Sequence, residues 1–306
     1  MEVFHEINEN KKLAIALGYF DGIHIGHKKI INQLVQQAKA KGIKSAIITF
    51  DKNPADYFNE EATPNIQTYK DRQIILSSLG VDFIYELDFE KYKDLTAHDY
   101  ISNVLVKNFE PEIIIVGYNH SFGKNRGGSP ALLKEFSSKY NYECIVVPEQ
   151  KYQDKEEVSS TQIRKRIQYG HLNAVKALLG RYFSVRNSVI KGDKVARALG
   201  YPTANLVWPS SMAKLPYGVY FGYVQTGAKM HHALISWGTK PTLSNSKNEI
   251  LEAHLYDFNE NLYGKIIKVI FAKKLRDEEN FGNIRVLATQ LQKDYSAFEK
   301  WVKSSK

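Results

Sequence analysis

"LAIALGYFDGIHIGHKKIINQLVQQAKAKG" (residues 13–42) holds a strand, a turn and a helix in one stretch. Leu13 to Leu17 is a short apolar run that ends at Gly18, as a buried strand does. From Gly26 onward, Ile30, Ile31, Leu34, Val35 and Ala38 recur at helical spacing, and Gly42 suits the stop. Between them lie Gly18, Gly22 and Gly26, with Asp21, His24 and His27. Strand, glycine turn, helix is the geometry in which backbone N–H groups point at a phosphate. A lone histidine near a strand end is more often structural. Here His24 and His27 both stand at the mouth of the helix, where both can donate to charge growing on one ligand.

Outward from this stretch the same alternation continues. "SAIITF" (45–50), "VDFIYEL" (81–87), "IIIV" (113–116) and "ECIVV" (143–147) read as strands, with helical patterns such as "YKDRQIILSSLG" (69–80) between them. Strands alternating with helices predict a parallel sheet covered on both faces. Ligands then bind beyond the carboxyl ends of the strands, so the loops after "LAIAL", "SAIITF" and "IIIV" are where chemistry is expected. After about residue 180 the texture changes. "YFSVRNSVI", "GVYFGYVQT", "HHALISW", "EILEAHLYDF" and "GKIIKVIFAKKL" are strand-like without intervening helices, which predicts antiparallel pairing in a barrel or sandwich. A closing helix is marked by Phe281, Ile284, Leu287, Leu291 and Phe298, close to one stripe. The shift places a domain boundary near residues 170–183, after the helix "STQIRKRIQYG", and gives domains 1–180 and 181–306.

Composition narrows the class. The chain has 306 residues, 43% of them hydrophobic, enough for two domains with real cores. Its single cysteine, Cys144, allows no internal disulfide and suits a reducing compartment. The N-terminus is polar, and no apolar stretch approaches a bilayer span. A cytoplasmic protein with no membrane partner is expected. The formal net charge of +9 favours anions. Charge alone cannot choose between nucleic acid and small phosphorylated substrates, and no basic block like an RNA-binding tail is present.

Gly-Tyr-Phe-Asp-Gly-Ile-His-Ile-Gly-His (18–27) resembles the nucleotide-binding signature of the nucleotidyltransferase superfamily, and specifically of bacterial FAD synthetases. Class I tRNA synthetases share the two-histidine motif, and a second motif separates them. "VSSTQIRKRI" (158–167) resembles the Ser-Ser-Thr-x-x-Arg element of the FAD synthetases, and no Lys-Met-Ser-Lys-Ser segment occurs. Ser159, Ser160 and Thr161 offer hydroxyls at a helix start, with Arg164 in its first turn, where a guanidinium fork can hold phosphates; an ordinary helix cap would look the same. The resemblance implies that Gly18, Phe20, Asp21, Gly22, Gly26, Ser159, Ser160 and Thr161 bind the nucleotide and that His24, His27 and Arg164 are catalytic. "VGYNHSFGKNRGG" (116–128) resembles the flavin-site segment of that family, which implies a flavin-binding site where Asn119 contacts the flavin while Phe122 and Gly123 shape the pocket. "TFDKNP" (49–54) resembles a segment that usually reads Thr-Phe-Asp-Pro-His-Pro, with Lys52 and Asn53 in place of Pro and His.

In the second half, "GDKVARALGYPTANL" (192–206) contains Pro-Thr-Ala-Asn, which resembles the hallmark of riboflavin kinase. That likeness implies that Thr203 and Asn205 bind Mg²⁺ and nucleotide; a hydroxyl and an amide carbonyl are hard oxygen ligands. "LEAHLYDF" (251–258) is similar to the segment carrying the kinase's catalytic glutamate, which implies Glu252 as base for the riboflavin 5′-hydroxyl. Arg276 matches an arginine of the flavin-side loop. Strand alternation puts Glu252 and His254 on one face. Departures from the family pattern cluster here: Ala196 before Arg197, Asn187 for Gly, and Ser236 and Lys240 in "SWGTKPT". The ordered set implies a Rossmann-like nucleotidyltransferase domain followed by a riboflavin kinase barrel closed by a helix. The implied chemistry is phosphorylation of riboflavin to FMN and adenylylation of FMN to FAD, with ATP and Mg²⁺ and without nucleic acid. A monofunctional FAD synthetase with an impaired kinase domain is the alternative the departures raise.

Overall fold

The computed structural model describes residues 1–7, 12–58, 61–153, 156–192, 203–240 and 248–305. They form two compact units, Met1–Thr63 with Tyr69–Ser160, and Pro64–Thr68 with Thr161–Lys306.

The first unit is built on a six-stranded sheet, β1 (Glu2–Phe4), β2 (Leu13–Leu17), β3 (Lys44–Phe50), β4 (Phe83–Leu87), β5 (Ile113–Gly117) and β6 (Glu143–Val147), in the order β1-β4-β3-β2-β5-β6. Every pairing is parallel. All five residues of β2 are buried, the reason its run is continuously apolar. Helices α1 (Ile25–Lys41) and α2 (Tyr69–Ser78) cover one face, where Ile31, Leu34 and Leu76 meet Ala14, Ala16, Ile47 and Ile84. The helical residues 97–109 (α3) and Pro130–Tyr140 (α4) cover the other, where Ile101, Leu105 and Leu133 meet Ile15, Leu17, Ile48 and Ile114. Strand order reverses between β2 and β5, so the crevice of the sheet opens between the loops that follow them.

The second unit begins with helices α5 (Ser160–Gln168), whose first residue belongs to the other unit, and α6 (Leu172–Leu179). Its sheet comprises β9 (Phe183–Ser188), β10 (Ala204–Leu206), β11 (Gly218–Thr226), β12 (Lys229–Lys240), β13 (Asn248–Leu255) and β14 (Ile266–Asp277); β7 (Lys151–Tyr152) and β8 (Glu156–Glu157) make a small separate ladder in the first unit. The six strands run β10-β13-β12-β11-β14-β9, all antiparallel, and curl into a half-barrel. A bridge between Ile190 and Asn205 joins the two edges. Tyr220, Ile235, Trp237, Leu251, Val269 and Phe271 are buried, and Trp208, Trp237 and Phe271 pack ring against ring. Helix α7 (Ile284–Ser304) lies on the opposite face of the strands, with Phe298 and Val302 buried against Phe221. Both architectures agree with the sequence expectation. Among the described residues no helix is long and apolar enough to cross a membrane.

Candidate active sites

The loop from Gly18 to His24 leaves β2 at the switch point and enters α1. His24 is the N-cap, with extended backbone (φ −71°, ψ 175°), and its Nδ1 accepts the His27 N–H at 3.2 Å. An Nδ1 that accepts leaves the proton of a neutral imidazole on Nε2, so His24 is fixed in the tautomer that donates from its outer nitrogen. The two imidazoles stack, centroids 3.6 Å apart at 18°, and the Phe20 ring stands edge-on to His27 at 5.1 Å. Burial, and then the neighbouring His24, hold His27 well below the usual histidine range. His27 is therefore a neutral donor at pH 7. Its Nδ1 is buried without a partner among the described residues.

This turn is tight. Phe20 (φ 54°) and Ile23 (φ 38°) take left-handed backbone that L side chains rarely adopt, alongside Gly22 (φ 82°). A Cβ on Gly26 would lie 3.2 Å from the His24 ring, so glycine there lets the imidazole lie against the helix. Asp21 is buried, and its carbonyl accepts from the Ser160 hydroxyl at 2.9 Å. The start of α5 is thereby tied to the loop the two histidines follow. Ser159 is half-buried and Thr161 exposed. Arg164 belongs to the second unit, where its Nε donates to the Pro64 carbonyl at 2.8 Å.

The loop after β5 is the other wall of the crevice. Asn119 is exposed and its Nδ2 donates to Glu157 at 3.2 Å; Tyr118 bonds the same carboxylate through its hydroxyl. Phe122 is only 9% exposed and packs into the core against Tyr100 rather than lining the surface. Its backbone and that of Gly128 exchange both hydrogen bonds, at 3.3 and 2.8 Å. Glycine is required at both ends of this closed loop. A Cβ on Gly123 would sit 2.7 Å from the Ala97 backbone, and one on Gly128 would sit 2.5 Å from the Phe122 ring. Asn53 caps a short turn, accepting the Ala55 N–H at 3.2 Å.

In the half-barrel, register assembles the second site. Asn205 pairs with Glu252, Glu252 with Ser236, Ser236 with Val219 and Val219 with Arg276, across five adjacent strands. Directly opposed residues share a face, so Asn205, Glu252, Ser236 and Arg276 form one row on the side that α7 covers farther along. The next row on that face, Phe221, Leu234 and His254, lies under the helix, with His254 against Tyr295 at 5.5 Å. Asn205 is 5% exposed; its Nδ2 reaches the Thr203 carbonyl and hydroxyl at 3.3 Å each. Its Oδ1 is buried and has no partner among the described residues. An orphaned hard oxygen beside a threonine hydroxyl fits Mg²⁺. A Cβ on Gly192 would lie 2.5 Å from the Asn205 amide, so that glycine is what leaves the amide its place. Arg276 is gripped by the buried Asp294 of α7, Nε at 3.1 Å from both oxygens and Nη2 at 2.8 Å from one. Ala196 and Arg197 lie outside the described residues, and of Lys240 only the backbone is described.

Sequence reasoning missed Gly192 as a packing position and the partner of Arg276. It also missed a buried pair beneath the first loop, Arg72 with Glu86 at 3.0 Å. Arg72 sits in an amphipathic helical pattern and reads as a surface residue.

The FAD synthetase family matches residues 6–162 and the riboflavin kinase family residues 179–302. A bifunctional riboflavin kinase/FMN adenylyltransferase from Buchnera aphidicola subsp. Schizaphis graminum is 34% identical over 97% of this chain and 95% of its own. One of the same name from Bacillus subtilis is 31% identical over 94% and 91%. A Streptococcus pneumoniae crystal structure described as a macrolide-efflux protein superposes with a TM-score of 0.87 at 28% identity, covering 98% of this chain and 99% of that one.

Proposed function

Since the chain belongs to the bifunctional riboflavin kinase/FMN adenylyltransferase family, we propose that His24 and His27 serve its adenylyl transfer and that Thr203, Asn205 and Glu252 serve its phosphoryl transfer. The protein is a transferase with both activities. It phosphorylates riboflavin to FMN with ATP, and it adenylylates FMN to FAD with release of pyrophosphate. The presence of both family matches argues for this pair of activities over a synthetase with an idle second half. We assign the first reaction to residues 181–306 and the second to residues 1–180.

In adenylyl transfer an FMN phosphate oxygen attacks the α-phosphorus of ATP, and the bond to the pyrophosphate oxygen breaks. The nucleophile is already largely ionised at pH 7, so no general base is needed. Position and charge stabilisation carry the rate. The neutral donors His24 and His27 face the charge that grows on the α-phosphate and the leaving pyrophosphate. Gly18, Phe20, Asp21, Gly22 and Gly26 shape the nucleotide cradle, to which Ser159 and Ser160 add hydroxyls. Asn119 contacts the flavin, while Phe122 and Gly123 hold that loop in shape. The observation that carries this reading is the stacked His24–His27 pair at the N-terminus of α1, beyond β2 at the switch point of the sheet.

In phosphoryl transfer Glu252 accepts the proton of the riboflavin 5′-hydroxyl, whose oxygen attacks the γ-phosphorus of ATP as ADP leaves. Arg276, fixed by Asp294, presents its remaining donors on the flavin side. Mg²⁺ bound by Thr203 Oγ1 and Asn205 Oδ1 would neutralise charge on the nucleotide phosphates. The substrates are small molecules, and we place the protein in the cytoplasm.

Chromatographic resolution of flavins tests both assignments. Incubation with Mg²⁺ and ATP is expected to give FMN and FAD from riboflavin, and FAD from FMN. No new flavin in either tube would overturn the reading.

A further inference from the structure

Arg72 and Glu86 form a buried ion pair, 5% and 2% exposed, directly beneath the loop that carries Phe20. Arg72 Nη2 donates to Glu86 Oε1 at 3.0 Å, and its Nη1 donates to the Tyr19 carbonyl at 3.1 Å. The guanidinium also lies 4.9 Å from the Tyr19 ring centroid and 5.4 Å from that of Tyr69. Glu86 Oε2 accepts from the Tyr69 hydroxyl, and the exposed His5 approaches the same oxygen at 3.6 Å. Burial and the bond to Glu86 raise the Tyr69 phenol, which keeps it a donor. Thr49, paired with Glu86 across the sheet, is also buried there.

A buried ion pair is poor evidence for stability, because desolvation cancels most of its Coulombic gain. It does impose geometry. The two arms of the fork point in different directions, one to the sheet and one to the loop, so Arg72 fixes the Tyr19 carbonyl relative to β4. The next residue is Phe20, at φ 54°, and Ile23 at φ 38° closes the turn by donating its N–H to the Phe20 carbonyl at 3.3 Å. Left-handed residues of this kind are strained and persist only where the surroundings over-determine them. Phe20 in turn sets its ring edge-on to His27. The path from the pair to the imidazole is therefore short: Arg72, the Tyr19 carbonyl, the Phe20 backbone, the Phe20 ring, His27.

We propose that the Arg72–Glu86 pair is a positioning device for adenylyl transfer, holding the Tyr19–Phe20 backbone so that His27 stands stacked on His24. This rests on the assignment of His24 and His27 to FAD formation. Arg72 and Glu86 are both buried, and the role assigned to them acts through the loop.

The test uses the full chain and measures both activities and the thermal midpoint. Arg72→Met with Glu86→Leu removes both charges and keeps the volume, so no uncompensated charge is left buried. The expected result is a folded protein with unchanged FMN formation and a kcat for FAD formation at least about tenfold lower, while the KM for ATP moves less than about threefold. Arg72→Lys is the second variant. It keeps the charge against Glu86 but loses the fork, and a several-fold loss in kcat at an unchanged midpoint is expected. FAD formation at the unmodified rate in either folded variant overturns the inference. So does a loss of kcat that only tracks a falling midpoint in Arg72→Lys. FAD formation absent from the unmodified protein would instead overturn the assignment on which the inference rests.

Discussion

The two units handle phosphate by different means. In the parallel-sheet unit the cradle is contiguous: Gly18 to His27 supplies the turn, the helix N-terminus and both imidazoles. In the half-barrel the site has no local sequence of its own. Asn205, Ser236, Glu252 and Arg276 come from four strands and meet only because antiparallel register puts them in one row. The first arrangement is carried mainly by one loop and the residues that brace it, whereas the second depends on pairing along whole strands. The contrast also concerns the kind of group employed. Helix N-terminus and neutral histidines suit a nucleophile that arrives ionised; a carboxylate suits a hydroxyl that must lose a proton.

The largest effects should separate the two sites completely. His24→Ala removes a donor aimed at developing charge and is expected to depress FAD formation by about 10²–10³-fold. FMN formation from riboflavin should be unchanged in the same sample. Glu252→Gln should show the mirror image, with FMN formation down by about 10²–10⁴-fold and FAD from supplied FMN intact. Chromatography of the flavins reads both variants. Equal loss of both activities in either one would dissolve the division between the units.

How far each site could be read from the sequence follows the same contrast. The loop from Gly18 to His27 was legible because its chemistry sits within one strand–turn–helix. The strands β2 to β6 were legible too, since each carries an apolar run; the edge strand Glu2–Phe4, three residues long and partly exposed, and the two-residue strands β7 and β8 escaped. The half-barrel strands showed in their composition, but β10 is three residues long and was visible only as a motif. The pairing of Asn205 with Glu252 has no sequence signal, because register is set by the whole ladder. Phe122 illustrates a subtler limit. Its segment points to the flavin loop, yet its ring is core, and the glycines beside it are dictated by Ala97 and by Phe122 itself. Likewise Arg72 and Glu86 lie on different elements, and nothing in either segment announces the other.

A smaller effect sharpens the role of close packing in the half-barrel site. Gly192 has no side chain to offer, but a methyl there would lie 2.5 Å from the Asn205 amide. Gly192→Ala should displace that amide and lower FMN formation by up to about 10²-fold, a cost typical of misplacement by about 1 Å. FAD formation from FMN should not respond. Raising Mg²⁺ in the assay should recover part of the loss if the displaced oxygen is a metal ligand. Unchanged kinase kinetics would mean the Asn205 carbonyl is not used in the reaction.

The smallest predicted effect concerns stability, and it should fall on one unit only. His120 lies in the loop after β5, its Nε2 buried without a partner among the described residues, and burial brings its pKa down to about 4. In the unfolded chain a histidine titrates near 6.5. Between those values the unfolded state binds the extra proton and the folded state does not, so stability falls as pH falls. The contribution is complete above about pH 6.5 and is lost as pH drops toward 4, at most about 3 kcal/mol in all. His27, held low by burial, acts in the same direction. The three tryptophans, Trp208, Trp237 and Trp301, all belong to the second unit, so their fluorescence follows that unit alone. Calorimetry between pH 7 and 4.5 should show the transition with no tryptophan counterpart moving down as pH is lowered. His120→Leu should flatten that slope without lowering stability at pH 7, since it removes a buried polar atom that gains no hydrogen bond. An unaltered slope in His120→Leu would show that water reaches the imidazole and that the flavin-side loop is open where the structure has it closed.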